Sequence, residues 1–354
     1  MAYLAGYSNR KKITVQTAYL DSALTDFPLY VPINADTDIG GKCRADGYDL
    51  RFTASDGTTL LSYERVSFAV AVGAATGIFW VKSSLATSPA TDIYCYYGVA
   101  GAADGQSVAA TWTSYARVWH LEEAYSTDAG NYKDALGVGH LTLTDANADS
   151  GQGTGIVGNC VDLSGDADFL NEADHADHDP GGAMTAEVWI KMDSLVASAG
   201  YFQHDNSSNK WVLRNGAISG GVTVNPAFQV RTASGLVSSG NVTTMSINNL
   251  YYLAGTFDKS LASGRIKLYV QGLPDSSANG YNEDVLDGDE GINIGRVGPA
   301  YFNGLTDEVR YSKDAKSAEW IKFVYRNITE VDNELTWAAQ ESFGSDIFFF
   351  GANF

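Results

Sequence analysis

Short runs of β-branched and aromatic residues, each closed by glycine, aspartate or asparagine, recur along almost the whole chain. This punctuation limits the fold more than any other feature. "RKKITVQTAYL" and "FPLYVPIN", within residues 10–34, are the first pair. Ile13, Val15 and Thr17 alternate with polar neighbours, as a strand with one buried face requires. In "YDLRFTASDGTTLLSYERVSF" the dipeptide Asp56–Gly57 separates two β-rich runs, a strong hairpin signal. "TGIFWVKSSL" and "TDIYCYYGV" complete a first set. Helical spacing shows in one place, "SAEWIKFVYRN", where Trp320, Ile321, Phe323 and Val324 predict a helix of about three turns. With 37 glycines and no long runs of Ala, Leu, Glu and Lys, the expectation is an all-β chain.

The chain has 354 residues, 45% of them hydrophobic, which suits about two domains with substantial cores. Residues 1–112 are read as an N-terminal antiparallel β-sandwich module, ending in the small, polar connection "AGAADGQSVAATW" (100–112). Residues 113–341 are read as the second domain. It opens with the strand "ARVWHLEEA", followed by a Gly/Asp-rich loop and by "HLTLTDA", "CVDLSG" and "MTAEVWIKMDSL". "YFQHDNSSNKWVLRN" predicts a hairpin with a polar tip, and further strands lead to the last one, Tyr301–Ser312. Residues 342–354 form a tail in which Ile347, Phe348, Phe349 and Phe350 stand together near the chain end. The tail is either a final packed strand or an assembly anchor that buries aromatics in a neighbouring subunit.

The formal net charge is −19 and the pI about 4.5. Residues 1–112 hold 8 Lys/Arg against 10 Asp/Glu, and residues 113–354 hold 15 against 32, so the acidity belongs to the second part. Such a surface repels phosphate, and no nucleic-acid partner is expected. Divalent cations and an exposed particle surface are compatible with it. The opening "MAYLAGYSNRKKITV" lacks the apolar centre of a secretory signal. No run of about 18 apolar residues offers a membrane span, so no membrane insertion is expected. Cys43, Cys95 and Cys160 lack the spacing of a disulfide framework or a zinc site and read as free or buried thiols.

"VWHLEE" (118–123), "MTAEVWIKMDSL" (184–195), "YYLAGTFD" (251–258), "IKLYVQG" (266–272) and "FNGLTDEVRYSKDAKSAEWI" (302–321) occur in this order and at this spacing. On these segments the second domain resembles the laminin-G-like, concanavalin-type jelly rolls of bacterial and phage proteins. "GYSNRKKITV", "LTDFPLYVPI", "DLRFTASDGTTLLSYE", "FWVKSSL" and "IYCYYG" make the first domain look like the β-sandwich module of uncharacterised function that often precedes such jelly rolls. The expected fold is therefore two antiparallel β-sandwiches in tandem, the second a concanavalin-like jelly roll. The resemblance also implies a structural Ca²⁺ site in an Asp/Gly/Asn loop, for which "YSTDAGNYKDALG" supplies Asp128, Asn131 and Asp134. An ordinary solvated turn is the alternative.

Several acids invite a catalytic reading. Asp307 and Glu308 are adjacent in the last strand. In a regular strand neighbouring side chains point to opposite faces, whereas a glycosidase needs its two carboxyls about 5–10 Å apart across one cleft. One of the two is therefore expected to brace a turn while Val309 fills the core. Glu122–Glu123 fails the same test. Glu172 and Asp174 have alternate spacing, but Asp177 breaks it, and the flanks are not β-rich. In the same stretch, "DHADHDPGG", His175 and His178 have the spacing of a metal pair, but Pro180 and two glycines favour an irregular loop in an acidic surface. For glycan binding, Tyr201, Gln203 and Trp211 on the predicted hairpin could form an aromatic platform with a polar reader; core and rim positions are the alternative. No G-x-S-x-G motif or phosphate loop is present.

The expectation is a non-enzymatic phage virion protein, a capsid decoration, head fibre or tail component, with a lectin-like domain turned toward glycans. Its partners would be other virion proteins, glycans and its own copies, a homotrimer in a fibre. The alternatives are a secreted bacterial adhesin, the carbohydrate-binding module of a polysaccharide-degrading system, or, less favoured, a glycosidase.

Overall fold

The computed structural model describes residues 3–204, 208–219, 221, 223–240 and 242–343. The tail anchor Ile347, Phe348, Phe349 and Phe350 lies outside these residues. The chain is nearly all β, in antiparallel sheets, and the described residues divide into two compact units. Residues 3–111 and 330–343 make one, and 112–329 the other.

The first unit is a sandwich. Its three-stranded sheet runs Leu24–Asp36, Ala74–Leu85, Tyr63–Ala71. The facing sheet runs Leu335–Trp337, Asn9–Val15, Thr91–Tyr97, Arg51–Thr53, Leu60–Leu61. Phe52 of one sheet meets Phe79 and Tyr63 of the other, with ring centroids 5.5 and 5.2 Å apart. The predicted turn is present. Gly57 has φ 79°, and Asp56 accepts from the Thr58 and Thr59 N–H groups at 2.9 Å each. Bonds from Thr59 and Thr58 hold the Asp56 carboxyl down at about 2. The 100–112 connection is packed onto this unit: Arg51 donates to the Ala103 carbonyl at 2.7 Å, and Arg65 grips Asp104 at 3.0 and 2.8 Å.

The expected end of the second domain at residue 341 needs correction, because residues 330–341 belong to the first unit. Leu335–Trp337 pairs with the Asn9–Val15 strand, Val15 opposite Leu335 and Ile13 opposite Trp337. Glu341–Ser342 pairs with the start of that strand, Asn9 opposite Ser342. Buried Arg10 fastens the join: its Nε donates to Glu341 at 2.7 Å, Nη1 donates to the Tyr96 hydroxyl at 2.8 Å, and the guanidinium lies 4.0 Å from the Tyr3 and Tyr94 ring centres. The returning strands cover backbone that would otherwise be an open sheet edge.

The second unit is built from two eight-stranded sheets, the layering of a jelly roll, each with seven strands in order and one short strand to the side: Arg117–Trp119 beside Gly304–Ser312, and Met245–Ser246 beside Thr223–Thr232. One runs Gly151–Thr154, Asn159–Leu163, Gly304–Ser312, Ala183–Met192, Leu250–Asp258, Ile266–Val270, Leu273–Ala278. The other runs Gly235–Gly240, Thr223–Thr232, Trp211–Ser219, Gly200–His204, Ile292–Ile294, Phe169–Asn171, Thr142–Thr144. Val188, Leu253 and Val309 meet Phe202, Leu213 and Phe228 in the core between them. The predicted helix spans Ala318–Thr329 and lies on the outer face of the first of these sheets. Tyr325 stacks on Trp189 (5.8 Å, 14°), and Trp320 Nε1 donates to the Tyr115 hydroxyl at 3.0 Å. Among the described residues no helix is long and apolar enough to cross a membrane.

Candidate functional site

With the helix on one sheet, the outer face of the other offers the open surface. Leu213 pairs with Phe228 in the core, so the adjacent pair Arg214–Ala227 points the opposite way. A hollow of about 540 Å³ lies there, lined by Ala197, Ser198, Arg214, Ile218 and Gln229 among others. Arg214 Nε donates to the Asn215 carbonyl at 3.2 Å, and no carboxylate among the described residues pairs with it. Burial holds its guanidinium below the ordinary pKa. Gln229 Oε1 has no hydrogen-bond partner among the described residues. The hollow thus presents the Arg214 cationic donor, with the covered and unused Gln229 amide oxygen at its wall.

The expected aromatic platform is not on this surface. Tyr201 and Trp211 belong to the core: Trp211 stacks on Tyr311 (5.2 Å, 7°), and the Tyr201 hydroxyl bonds Asn215. Gln203 alone faces outward, opposite Val212 and Asn293, but it is fully covered. The hairpin forms where predicted, yet its large rings sit on the core side, where burying them stabilises most.

The proposed Ca²⁺ ligands are not gathered as a cage. Asp134 is buried, and its two oxygens accept four backbone N–H groups, from Val118, Leu136, Val138 and Gly139, at 3.0–3.2 Å. Asn131 donates to the Ala124 carbonyl at 3.0 Å, and Asp128 is exposed. Asp134 organises its loop through backbone donors, which occupies the lone pairs a cation would need.

Asp307 and Glu308 depart from strand parity. Opposite Glu187–Trp189 the register slips by one residue, and Glu308 has φ 45°. This bulge turns Glu308 back toward Arg310, 2.5 Å away, and toward His120 Nδ1 at 2.8 Å. Arg310 and Asp307 face Glu187 and Trp189, on the side away from the core, so both acids lie on one face. Val309 fills the core as expected. Asp307 braces the 155–158 turn, accepting from Ile156 and Val157 N–H at 2.8 and 3.2 Å. Burial raises the Asp307 pKa well above the usual range, and the Glu308 charge adds to it. Burial also pushes Glu308 up, but His120 and Arg310 outweigh it and hold this carboxyl below its ordinary value. The pair is 2% and 1% exposed.

The "EADHADHDP" stretch is more ordered than an accidental surface enrichment. Ala176–His178 forms a 3₁₀ turn that leaves His175 outside and swings His178 fully inside. Glu172 is also buried, held by Arg117 (Nη2 at 2.9 Å) and by His178 Nε2 at 3.0 Å. Burial pushes its pKa up, but the bonds from His178 and Arg117 hold it below the ordinary value. Gly139 makes this possible, since a Cβ there would fall 1.8 Å from Glu172 Oε1. His204, at the end of its strand and fully buried, brings a second imidazole 5.5 Å from His178. Asp174 Oδ1 lies 3.9 Å from His178 Nδ1 and 3.8 Å from His204 Nε2; Asp179 Oδ1 lies 4.0 Å from His204 Nδ1. No local pattern marks His204, which reaches His178 only through the fold.

Two packed sheets, one helix-covered and one open, define a lectin-like jelly roll. Residues 163–322 match the family model of the concanavalin A-like lectin/glucanases superfamily, and residues 46–128 match that of a domain of unknown function, DUF2341. The chain carries a concanavalin A-like domain preceded by a DUF2341 domain. Among solved structures it is similar to domain 4 of AbnA, a GH43 extracellular arabinanase from Geobacillus stearothermophilus, in complex with arabinotriose: 16% identity, 58% of this chain and 98% of that one, TM-score 0.44. It is also similar to the binding domain of Paraclostridial Mosquitocidal Protein 1 (11% identity, 59% of this chain and 52% of that one, TM-score 0.45). A third is the receptor binding domain of botulinum neurotoxin mosaic serotype C/D (17% identity, 60% of this chain and 50% of that one, TM-score 0.44). The matches span about half of each toxin domain. No curated protein matches the chain.

Proposed function

We propose that this chain is a non-enzymatic recognition protein whose jelly roll binds glycans in the hollow beside Arg214 and Gln229. The observation that carries the reading is the unpaired polar chemistry of that hollow on the sheet that bears no helix. A guanidinium and an amide oxygen suit sugar hydroxyls and carboxylates. The acids singled out by the sequence have other work: Asp307 braces a turn, and Glu172 and Glu308 are held in buried ion pairs.

The setting proposed is a phage particle, as capsid decoration, head fibre or tail component. The net charge of −19 supports it, since an exposed particle surface benefits from strong charge. The aromatic run Ile347–Phe350 would anchor the chain to a virion protein or to its own copies, as in a trimer.

The test is a glycan array and titration calorimetry on the full chain, with the double variant R214A/Q229A as control. Binding that weakens at least tenfold in the variant, at unchanged melting temperature, supports the hollow. Binding indifferent to both substitutions, or release of reducing ends from the bound polysaccharide, overturns the reading. Mass spectrometry of purified particles tests the setting. A chain found only in culture supernatant on polysaccharide would make it a bacterial adhesin or carbohydrate-binding module. Deleting residues 344–354 should abolish incorporation; normal incorporation removes the anchor.

A further inference from the structure

We propose that His178, His204 and Asp174, with Asp179 beside them, form a site for a divalent transition metal, Zn²⁺ foremost, at one end of the jelly roll. Two imidazoles with carboxylate oxygens are the donor set that zinc takes, whereas Ca²⁺ prefers oxygens alone.

The spacing agrees. Asp174 Oδ1 stands 3.9 Å from His178 Nδ1 and 3.8 Å from His204 Nε2, too long for hydrogen bonds, while Asp179 Oδ1 lies 4.0 Å from the opposite nitrogen of His204, Nδ1, and stays outside this shell. Ligands about 2.1 Å from a tetrahedral ion stand about 3.4 Å apart, so a contraction of about half an ångström would close the shell. The ligand atoms of Asp174, His178 and His204 already lie within 4.8 Å of one another.

The surroundings are those of a ligating histidine. Glu172, itself tied to Arg117, lies 3.0 Å from His178 Nε2, and a carboxylate there favours the proton on that nitrogen. The lone pair is then on Nδ1, the atom nearer Asp174. The His175 N–H donates to Nδ1 at 3.2 Å, as only an unprotonated nitrogen allows, and metal binding would replace this long bond. The side chains of Asp174 and Asp179 are 44% and 23% exposed, which gives an ion a way in. Residues 172–182 cross from one sheet to the other, while His204 ends a strand. A bound ion would tie that crossing loop to the strand end.

The experiment is calorimetry of Zn²⁺ binding to the tag-free full chain after chelator treatment, with Ca²⁺ as the competing ion. One Zn²⁺ per chain is expected, with a rise in melting temperature and, for Co²⁺, the intense visible bands of tetrahedral coordination. D174N, at an exposed position, should fold normally and bind at least tenfold more weakly; H204Q should lose the Co²⁺ bands. No Zn²⁺ binding, affinity unchanged in D174N, or equal binding of Ca²⁺ overturns the proposal. No saccharide enters this test, so its outcome is independent of the glycan reading.

Discussion

At the scale of single residues, titration separates the two buried acids. Asp307 has a raised pKa, from burial first and the Glu308 charge second. Its ionisation opposes folding: the penalty is absent below the unfolded value of about 3.9, grows as pH rises, and is full above the folded value. D307N should therefore be more stable than the parent at alkaline pH, with the difference vanishing in acid. Urea unfolding across pH checks this, and a constant difference would refute it. Glu172 has the opposite sign. Its lowered pKa contributes stability that is full above about 4.3 and is lost as pH falls through the folded value. E172Q should cost about 3–5 kcal/mol near neutrality, since it leaves buried Arg117 with only the longer 3.4 Å pairing to half-exposed Asp177, and less in acid. Sequence made Val309 legible as core and one of the acids as a turn brace. It could not show φ 45° at Glu308, because a left-handed glutamate is held by its ion pairs and not by any local preference.

At the scale of elements, the runs that sequence marked as strands are strands, and the helix at 318–329 is where its spacing put it. Length decided the misses. Leu335–Trp337 and Glu341–Ser342 hold three and two residues, too few for alternation to register, and their partner strand lies at the other end of the chain. The hairpin of Gly200–His204 and Trp211–Ser219 was legible, but not which side its rings would take; that depends on the sheet opposite. Leu335 is 4% exposed against the first unit. Leu335→Ala should destabilise that unit by about 2–5 kcal/mol and leave the jelly roll unchanged. Hydrogen exchange resolved by segment reads this: faster exchange confined to 112–329 would contradict it.

At the scale of the whole molecule, the second unit is inserted into the first, with the chain crossing at 111–112 and again at 329–330. An engineered protease site at 111–112 should, once cut, give two fragments on a denaturing gel but one species by size-exclusion chromatography. The pairing of Asn9–Val15 with Leu335–Trp337 and Glu341–Ser342 would hold the pieces together. Fragments that separate would show that this pairing is too weak to stand without the covalent link. Residues 46–128 match one family and 163–322 another, so sequence comparison reads as a series what the fold closes as a loop.

Asn9 lies directly opposite Ser342 on antiparallel neighbours. Tension applied between these two points would open the rim of a single sheet like a zipper, one backbone bond at a time. The inserted jelly roll would carry none of that force until the rim had peeled.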